Sequence, residues 1–190
     1  MVASVPFARA PSVVSTECQR TADAVGYAGP CPTVLPLGTT ATSPQPGCRF
    51  AIIAQTTSPA CPGGAHLHGW IFGTSGVNQP GSGAASFQHL VIWANPRVIS
   101  NPARAIDGPQ VYPERVLPRG SIRIDGILRH WYLVPIDNPS AFRGHLVLLW
   151  NELGHTYVYG FHVSDTMTMA RALDLELVRH LEMVHPPHSP

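Results

Sequence analysis

The sequence predicts an α+β fold, in which a mostly antiparallel sheet packs against an N-terminal and a C-terminal helix. Segments rich in β-branched and aromatic residues are separated by gaps mostly too short for a βαβ crossover, so neighbouring strands run antiparallel. Apolar residues recur at helical spacing near both ends of the chain. Twenty prolines and seventeen glycines among 190 residues add long Pro/Gly-rich loops.

The chain begins with a predicted arm and a predicted helix. Residues 1–14 read as a flexible arm and residues 15–29 as a short helix with an apolar stripe that includes Ala22. The signals for its ends are a cap at Ser15 or Thr16 and a stop at Gly26 or Gly29. Residues 30–47 are too rich in proline and glycine for regular structure.

Three single strands, two segments with paired strand runs and a final helix follow. Three segments have strand composition: 48–57, 66–74 and 87–94. Residues 95–118 carry five prolines and predict a long excursion. Residues 121–134 come next, where Asp125-Gly126 between two apolar runs signals a hairpin or a bend, and a hairpin follows over 144–162. Residues 164–184 place Ala170, Leu173, Leu177, Val178 and Leu181 on one helical face, with Asp165 or Thr166 as cap.

The length of the chain suits one domain with its own core. We expect that domain to span residues 15–184, after the arm at 1–14 and before a frayed tail at 185–190.

The second hairpin, "GHLVLLWNELGHTYVYGFH" (144–162), contains three histidines. A four-residue turn at 151–154 would place Trp150 opposite His155 and put the large apolar and aromatic residues on one face, toward the final helix. His155 would lie at the turn end of that face. His145 and His162 would be diagonal neighbours on the other face, as histidines of an edge or a solvent-facing surface.

Four cysteines lie in the first third of the chain, and none forms a C-x-x-C pair: Cys18, Cys31, Cys48 and Cys61. An even number in loop-rich sequence favours disulfides over a thiolate metal site. The simplest pairing is Cys18–Cys31 with Cys48–Cys61, although four cysteines allow three connectivities. Disulfides imply an oxidising compartment outside the cytoplasm.

A histidine pair is the alternative signal for a metal site. His66 and His68 point the same way on a strand, and His89 of the next strand or His130 would complete three ligands for zinc. A surface strand with alternating polar residues explains the pair equally well. Without such a site, the sequence predicts no cofactor.

Charge and composition exclude several function classes. A formal net charge of +1 favours neither nucleic acid nor an anionic membrane as a partner. The chain has no lysine, which excludes a Schiff-base lysine, a P-loop lysine and a Ser–Lys dyad. Serines in glycine-rich loops match no nucleophile motif. No apolar run is long enough to span a bilayer, and no signal peptide is visible.

Three stretches of the C-terminal half lie within about residues 119–184: "RIDGILRHWYLV", "RGHLVLLWNELGHTYVYGFH" and "ARALDLELVRHL". Together they resemble small uncharacterised secreted or lipid-anchored domains of GC-rich bacteria. Some of those domains are similar to the Mog1/PsbP-like α+β sandwich. The resemblance implies an extracytoplasmic, non-enzymatic domain and carries over no functional residue.

Three functions follow as expectations. The favoured one is a non-enzymatic, extracytoplasmic binding or envelope-associated domain with one or two disulfides, whose ligand is unknown. The first alternative is a metal-binding protein or metal-dependent hydrolase that uses the His-x-His pair. The second is a structural or assembly subunit, whose arms at 1–14 and 95–118 order against neighbouring molecules.

Overall fold

The structure, a computed structural model, describes residues 7–36, 39–40, 70–76, 87–95, 97–106, 116–135, 144–163 and 167–187. Within these ranges the helices are α1 (Ser12–Val25), α2 (Pro102–Ile106) and α3 (Met167–Arg179). The strands are β1 (Phe7–Arg9), β2 (Gly29–Pro32), β3 (Val34–Pro36), β4 (Thr39–Thr40), β5 (Trp70–Gly76), β6 (Phe87–Asn95), β7 (Leu117–Ile124), β8 (Ile127–Pro135), β9 (Gly144–Glu152), β10 (His155–Val163) and β11 (Leu181–Val184).

Seven of these strands form one antiparallel sheet in the order β4-β5-β6-β10-β9-β8-β7. Two smaller two-stranded sheets pair β1 with β3 and β2 with β11. The described part of the chain is therefore α+β and mostly antiparallel sheet, as its sequence predicts. Strand β10 lies between β6 and β9, so the second hairpin is central in the sheet.

Two tight turns of the same kind close the hairpins. Ile124 pairs with Ile127 across Asp125-Gly126, and Glu152 pairs with His155 across Leu153-Gly154. All four turn residues have φ between 50° and 79°, as a two-residue turn that matches the right-handed twist of the strands requires. The Asp125-Gly126 prediction is confirmed.

The predicted register of the second hairpin is wrong by two residues. Trp150 lies opposite Tyr157 instead of His155, because Leu153 and Gly154 alone form the turn. A shift of two residues preserves the alternation of faces. The predicted aromatic face therefore survives, and its buried members are Leu146, Leu148, Trp150, Tyr157 and Tyr159.

Helices α1 and α3 cover that face of the sheet. Val14 and Ala22 of α1, with Leu177 and Val178 of α3, belong to the same buried cluster as the aromatic face. Helix α3 packs on β9 and β10, and α1 packs on β5. The predicted contact between the aromatic face and the C-terminal helix is confirmed.

The opposite face of the sheet is also covered. Val147, Leu149 and Val158 are buried there with Ala105 and Ile106 of α2. The interpretation of His145 and His162 as histidines of an edge or a solvent-facing surface stays a prediction, because their side chains lie outside the described residues. The covering helix was missed because it has five residues within a proline-rich segment.

The chain departs from the sequence predictions at three other places. Helix α1 begins at Ser12, and β1 precedes it, so residues 7–9 and 12–14 of the predicted arm form regular structure. Strands β2, β3 and β4 lie at positions 29–40, most of which was predicted as irregular, and β2 contains two prolines. Helix α3 ends at Arg179, and the last predicted turn of helix is instead strand β11. Gly26 ends α1 in the left-handed conformation, as predicted.

A disulfide joins Cys18 of α1 to Cys31 of β2. This confirms one of the two predicted pairs; Cys48 and Cys61 lie outside the described residues. Cys18 is fully buried and Cys31 is 4% exposed. Since β2 pairs with β11, the bridge ties the first helix to the end of the chain.

Substitution of Gly154 by alanine tests the left-handed geometry of the turn at Leu153-Gly154. Its φ is +79°, and a Cβ added there would meet nothing within 4 Å. Gly154→Ala is therefore expected to lower the free energy of unfolding by about 1 kcal/mol, the conformational cost alone. Urea unfolding measures this, and an unchanged midpoint would contradict the left-handed turn.

Candidate functional site

A carboxyl group lies in the core between α3 and the sheet. Asp174 is fully buried, and it sits one turn before Leu177 and Val178, on the face of α3 that packs on β9 and β10. Neither of its carboxyl oxygens has a hydrogen-bond partner among the described residues. An unpartnered buried polar group of this kind costs about 1–3 kcal/mol of stability.

Two aromatic side chains on the same face of the sheet share this property. The hydroxyl of Tyr159 and the indole Nε1 of Trp131 are buried and have no hydrogen-bond partner in the described part of the chain. Trp131 and Tyr159 both lie opposite Leu148, from the two sides of β9. The sheet therefore presents two hydrogen-bonding groups on the face that α3 covers.

Arg171 closes one side of this cluster. It precedes Asp174 by three residues on α3, and its guanidinium carbon lies 4.7 Å from the centre of the Trp131 ring. Its Nη2 donates a hydrogen bond to the carbonyl oxygen of Arg119 in the edge strand β7. Its buried Nε has no hydrogen-bond partner within the described ranges. The guanidinium thus fastens α3 to the sheet without forming an ion pair with Asp174.

Burial sets the protonation of the cluster. Desolvation raises the pKa of Asp174 well above its ordinary value. The pKa of Tyr159 is also raised well above its usual range, first by burial and then by the charge of Asp174. A negative charge on Asp174 therefore disfavours ionisation of Tyr159, whereas burial alone opposes ionisation of Asp174.

This arrangement has a definite hydrogen-bonding chemistry. A neutral carboxyl group donates one hydrogen bond and accepts others, a phenol does both, and the nitrogens of Trp131 and Arg171 only donate. We call Asp174, Tyr159, Trp131 and Arg171 the buried polar cluster. It can hold a proton on a carboxyl group inside the core, and it can hydrogen-bond a small polar molecule.

A second arginine–tryptophan pair lies at the turn end of the same face. Arg129 is buried, with its guanidinium carbon 5.2 Å from the centre of the Trp150 ring, and its Nη1 donates to the carbonyl oxygen of Ile124 at 2.8 Å. Desolvation lowers its pKa, while the charges of Glu152 and Asp125 oppose that shift. This pair is a packing element that fixes the turn end of the hairpins.

His155 has a packing role in the same region. Its ring stacks on Tyr27 with centroids 4.2 Å apart, and its Nδ1 lies 3.1 Å from the carbonyl oxygen of Asn95. The hydroxyl of Tyr157 donates to the carbonyl oxygen of Ala28 at 2.8 Å. These contacts hold the segment after α1 against the aromatic face. The sequence predicts His155 on that same face.

The histidines of the predicted metal site are only partly described. His66 and His68 lie outside the described residues. His89 is on β6, where its backbone pairs directly with that of His162 on β10. His145 is on β9, one position beyond the last pair, Phe161 with Leu146.

No group of three or more His, Cys, Asp or Glu residues suited to hold a metal ion occurs within the described ranges. The zinc site at His66, His68 and His89 stays a prediction, which elemental analysis of the purified protein tests. Among the described helices, none has the length and apolar character needed to cross a bilayer.

The sequence contained a signal for Asp174 that its interpretation missed. Asp174 lies four residues after Ala170 and four before Val178, in the middle of the predicted apolar stripe. An acidic residue at such a position is buried unless the helix rotates. Arg171 lies three residues before Asp174, so helical spacing places it on the same side of the helix.

Comparison with known proteins identified no relative. No family model matches the chain, and no curated protein or solved structure matches it.

Proposed function

We propose that this chain is an extracytoplasmic binding domain associated with the cell envelope. The observation that carries the proposal is the disulfide between Cys18 and Cys31. Both cysteines belong to the main buried cluster, so the bond is part of the core that folding must form. Such bonds form and persist in oxidising compartments and are rare in a reducing cytoplasm.

The C-terminal half supports the same compartment. Residues 119–184 resemble secreted or lipid-anchored domains, and they include the hairpins and α3 that build the aromatic face. We also propose, from the same resemblance, that this half is similar to the Mog1/PsbP-like α+β sandwich.

The buried polar cluster supports a binding role. Its hydrogen-bonding groups are held between α3 and the sheet by the stacking of Arg171 on Trp131 and by its bond to Arg119. A polar ligand that entered between α3 and the sheet would gain hydrogen bonds which the described residues leave unmade. Asp174 would be the anchoring group, since it alone offers both a donor and two oxygens.

Cell fractionation tests the compartment. An antibody against the purified domain should detect the chain in the envelope or extracellular fraction of the cells that make it. A known cytoplasmic protein, followed in parallel, controls for lysis. Recovery of the chain with the cytoplasmic control would contradict the proposal.

Ligand-induced stabilisation tests the binding role. A panel of small polar compounds should include one that raises the melting temperature of the wild-type protein, because a ligand that binds only the folded state stabilises it. The same compound should shift Asp174→Asn less. An equal shift in both proteins would place the binding site elsewhere.

A further inference from the structure

Exposed apolar side chains concentrate at one end of the large sheet. Among the described residues, four large apolar side chains are strongly exposed: Val13 at 43%, Val98 at 50%, Leu128 at 41% and Leu153 at 56%. Val13 lies on α1. The other three lie at the end of the sheet where both tight turns are found, and we call them the apolar tip.

The strand pairing brings the apolar tip together. Strands β8 and β9 are neighbours, with Arg129 opposite Trp150, so the turn before Leu128 and the turn at Leu153 are at the same end. Val98 precedes Ile99, whose amide donates to the hydroxyl oxygen of Thr156 at 2.8 Å. That hydroxyl donates to the side-chain oxygen of Asn151 at 2.6 Å.

Leu153 occupies a position that its side chain disfavours. Its φ is +50°, in the left-handed region where asparagine and glycine are the usual residues of such turns. A leucine there costs stability and is exposed as well. Strain of this kind, at the most exposed of the four apolar side chains, points to a role in contact with another surface.

The charges around the apolar tip are not balanced. Glu152 and Asp125 act on the buried guanidinium of Arg129, so that arginine offsets part of their charge. Arg97, beside Val98, and Arg123 are both exposed. Arg123 is held at the turn by a hydrogen bond from its Nη1 to the carbonyl oxygen of Gly126. Among the described side chains named here, three arginines, one of them buried, exceed two acidic groups by one positive charge.

We infer that the apolar tip docks on a membrane surface that contains anionic lipid. Leu153, Leu128 and Val98 would enter the headgroup region, while Arg97 and Arg123 contact lipid phosphates. The net charge of the whole chain gives no indication of this, because the charge that matters is local. The inference rests on the proposed envelope association only for the membrane's identity in the cell.

Vesicle co-sedimentation tests the inference on the purified domain. We expect binding to vesicles of phosphatidylcholine and phosphatidylglycerol at low salt, with weaker binding to phosphatidylcholine alone. Leu153→Asn should weaken binding about tenfold, since it removes much of the apolar contact of one side chain. Arg123→Gln should weaken binding to the anionic vesicles only.

Two features separate a binding defect from a folding defect. Asparagine is favoured at φ +50°, so Leu153→Asn should unfold at the same or a higher urea concentration than the wild type. Val13→Asn removes an exposed apolar residue on α1 and should leave binding unchanged. Equal loss from Val13→Asn and Leu153→Asn would overturn the inference.

Two other results would overturn it as well. Wild-type protein that binds neither type of vesicle lacks the docking surface, whereas fractionation in the envelope would still support the proposed compartment. Concentration-dependent self-association that Leu153→Asn abolishes, without vesicle binding, would assign the apolar tip to a contact between two copies.

Discussion

Replacing Asp174 by asparagine is expected to remove a loss of stability that the wild-type protein suffers as pH rises. Burial raises the pKa of Asp174 in the folded state, so folded protein keeps a proton that the unfolded chain releases above about pH 4. The free energy of unfolding should fall from about pH 4 up to the raised pKa, by up to about 1.4 kcal/mol per pH unit from this group. Above the raised pKa, its contribution is constant.

Urea unfolding at a series of pH values measures the effect. The stability of Asp174→Asn relative to wild type should grow with pH over that range, because the amide cannot ionise. Asp23→Asn, at an exposed position on α1, removes the same formal charge and serves as the control for the loss of one acidic group. Parallel curves for Asp174→Asn and wild type would show that the carboxyl group is not held in the core.

Removing the disulfide is the second change with a large expected effect. The Cys18→Ala/Cys31→Ala variant should lose about 3 kcal/mol of unfolding free energy, because the bridge closes a loop with a sequence separation of 13 residues. Burial of both cysteines adds a packing loss in the same direction.

The control for the bridge is Cys48→Ala/Cys61→Ala, which leaves Cys18 and Cys31 in place. Its unfolding free energy, measured in the same denaturant, reports the second predicted pair separately. A Cys18→Ala/Cys31→Ala variant as stable as wild type would contradict a structural role for the bridge in the core.

The sequence predicted the sheet better than its turns. Asp125-Gly126 is a standard hairpin signal, and its turn was found. Leu153-Gly154 was predicted as part of a four-residue turn at 151–154, because leucine does not signal a left-handed conformation. The buried faces were still correct, since the side-chain period of two survives a shift of two residues.

Helix α2 and strand β2, which both contain proline, were not predicted from the sequence. Helix α2 is only five residues long and begins at Pro102, too short for a periodic pattern. Strand β2 contains two prolines yet pairs with β11, since proline is tolerated where its missing N–H is not needed. Pairing with β11 also explains why the predicted end of the last helix is extended.

The candidate site was missed for a different reason. The apolar stripe predicted on the last helix does not include Asp174, although Asp174 lies within it at helical spacing. Its burial depends on α3 packing against β9 and β10, a tertiary contact that local propensity does not report. The stacking of Arg171 on Trp131 likewise joins residues 40 positions apart.

Peptide mapping of the protein from the cells that make it tests the central claim most directly. Thiols are alkylated before lysis, and digestion with trypsin and chymotrypsin separates residues 10–20, with Cys18, from residues 28–37, with Cys31 and without Cys48. The account predicts that these two peptides are recovered joined and separate only on reduction. Recovery of both as separate, alkylated peptides would contradict the disulfide in the cell and the extracytoplasmic assignment with it.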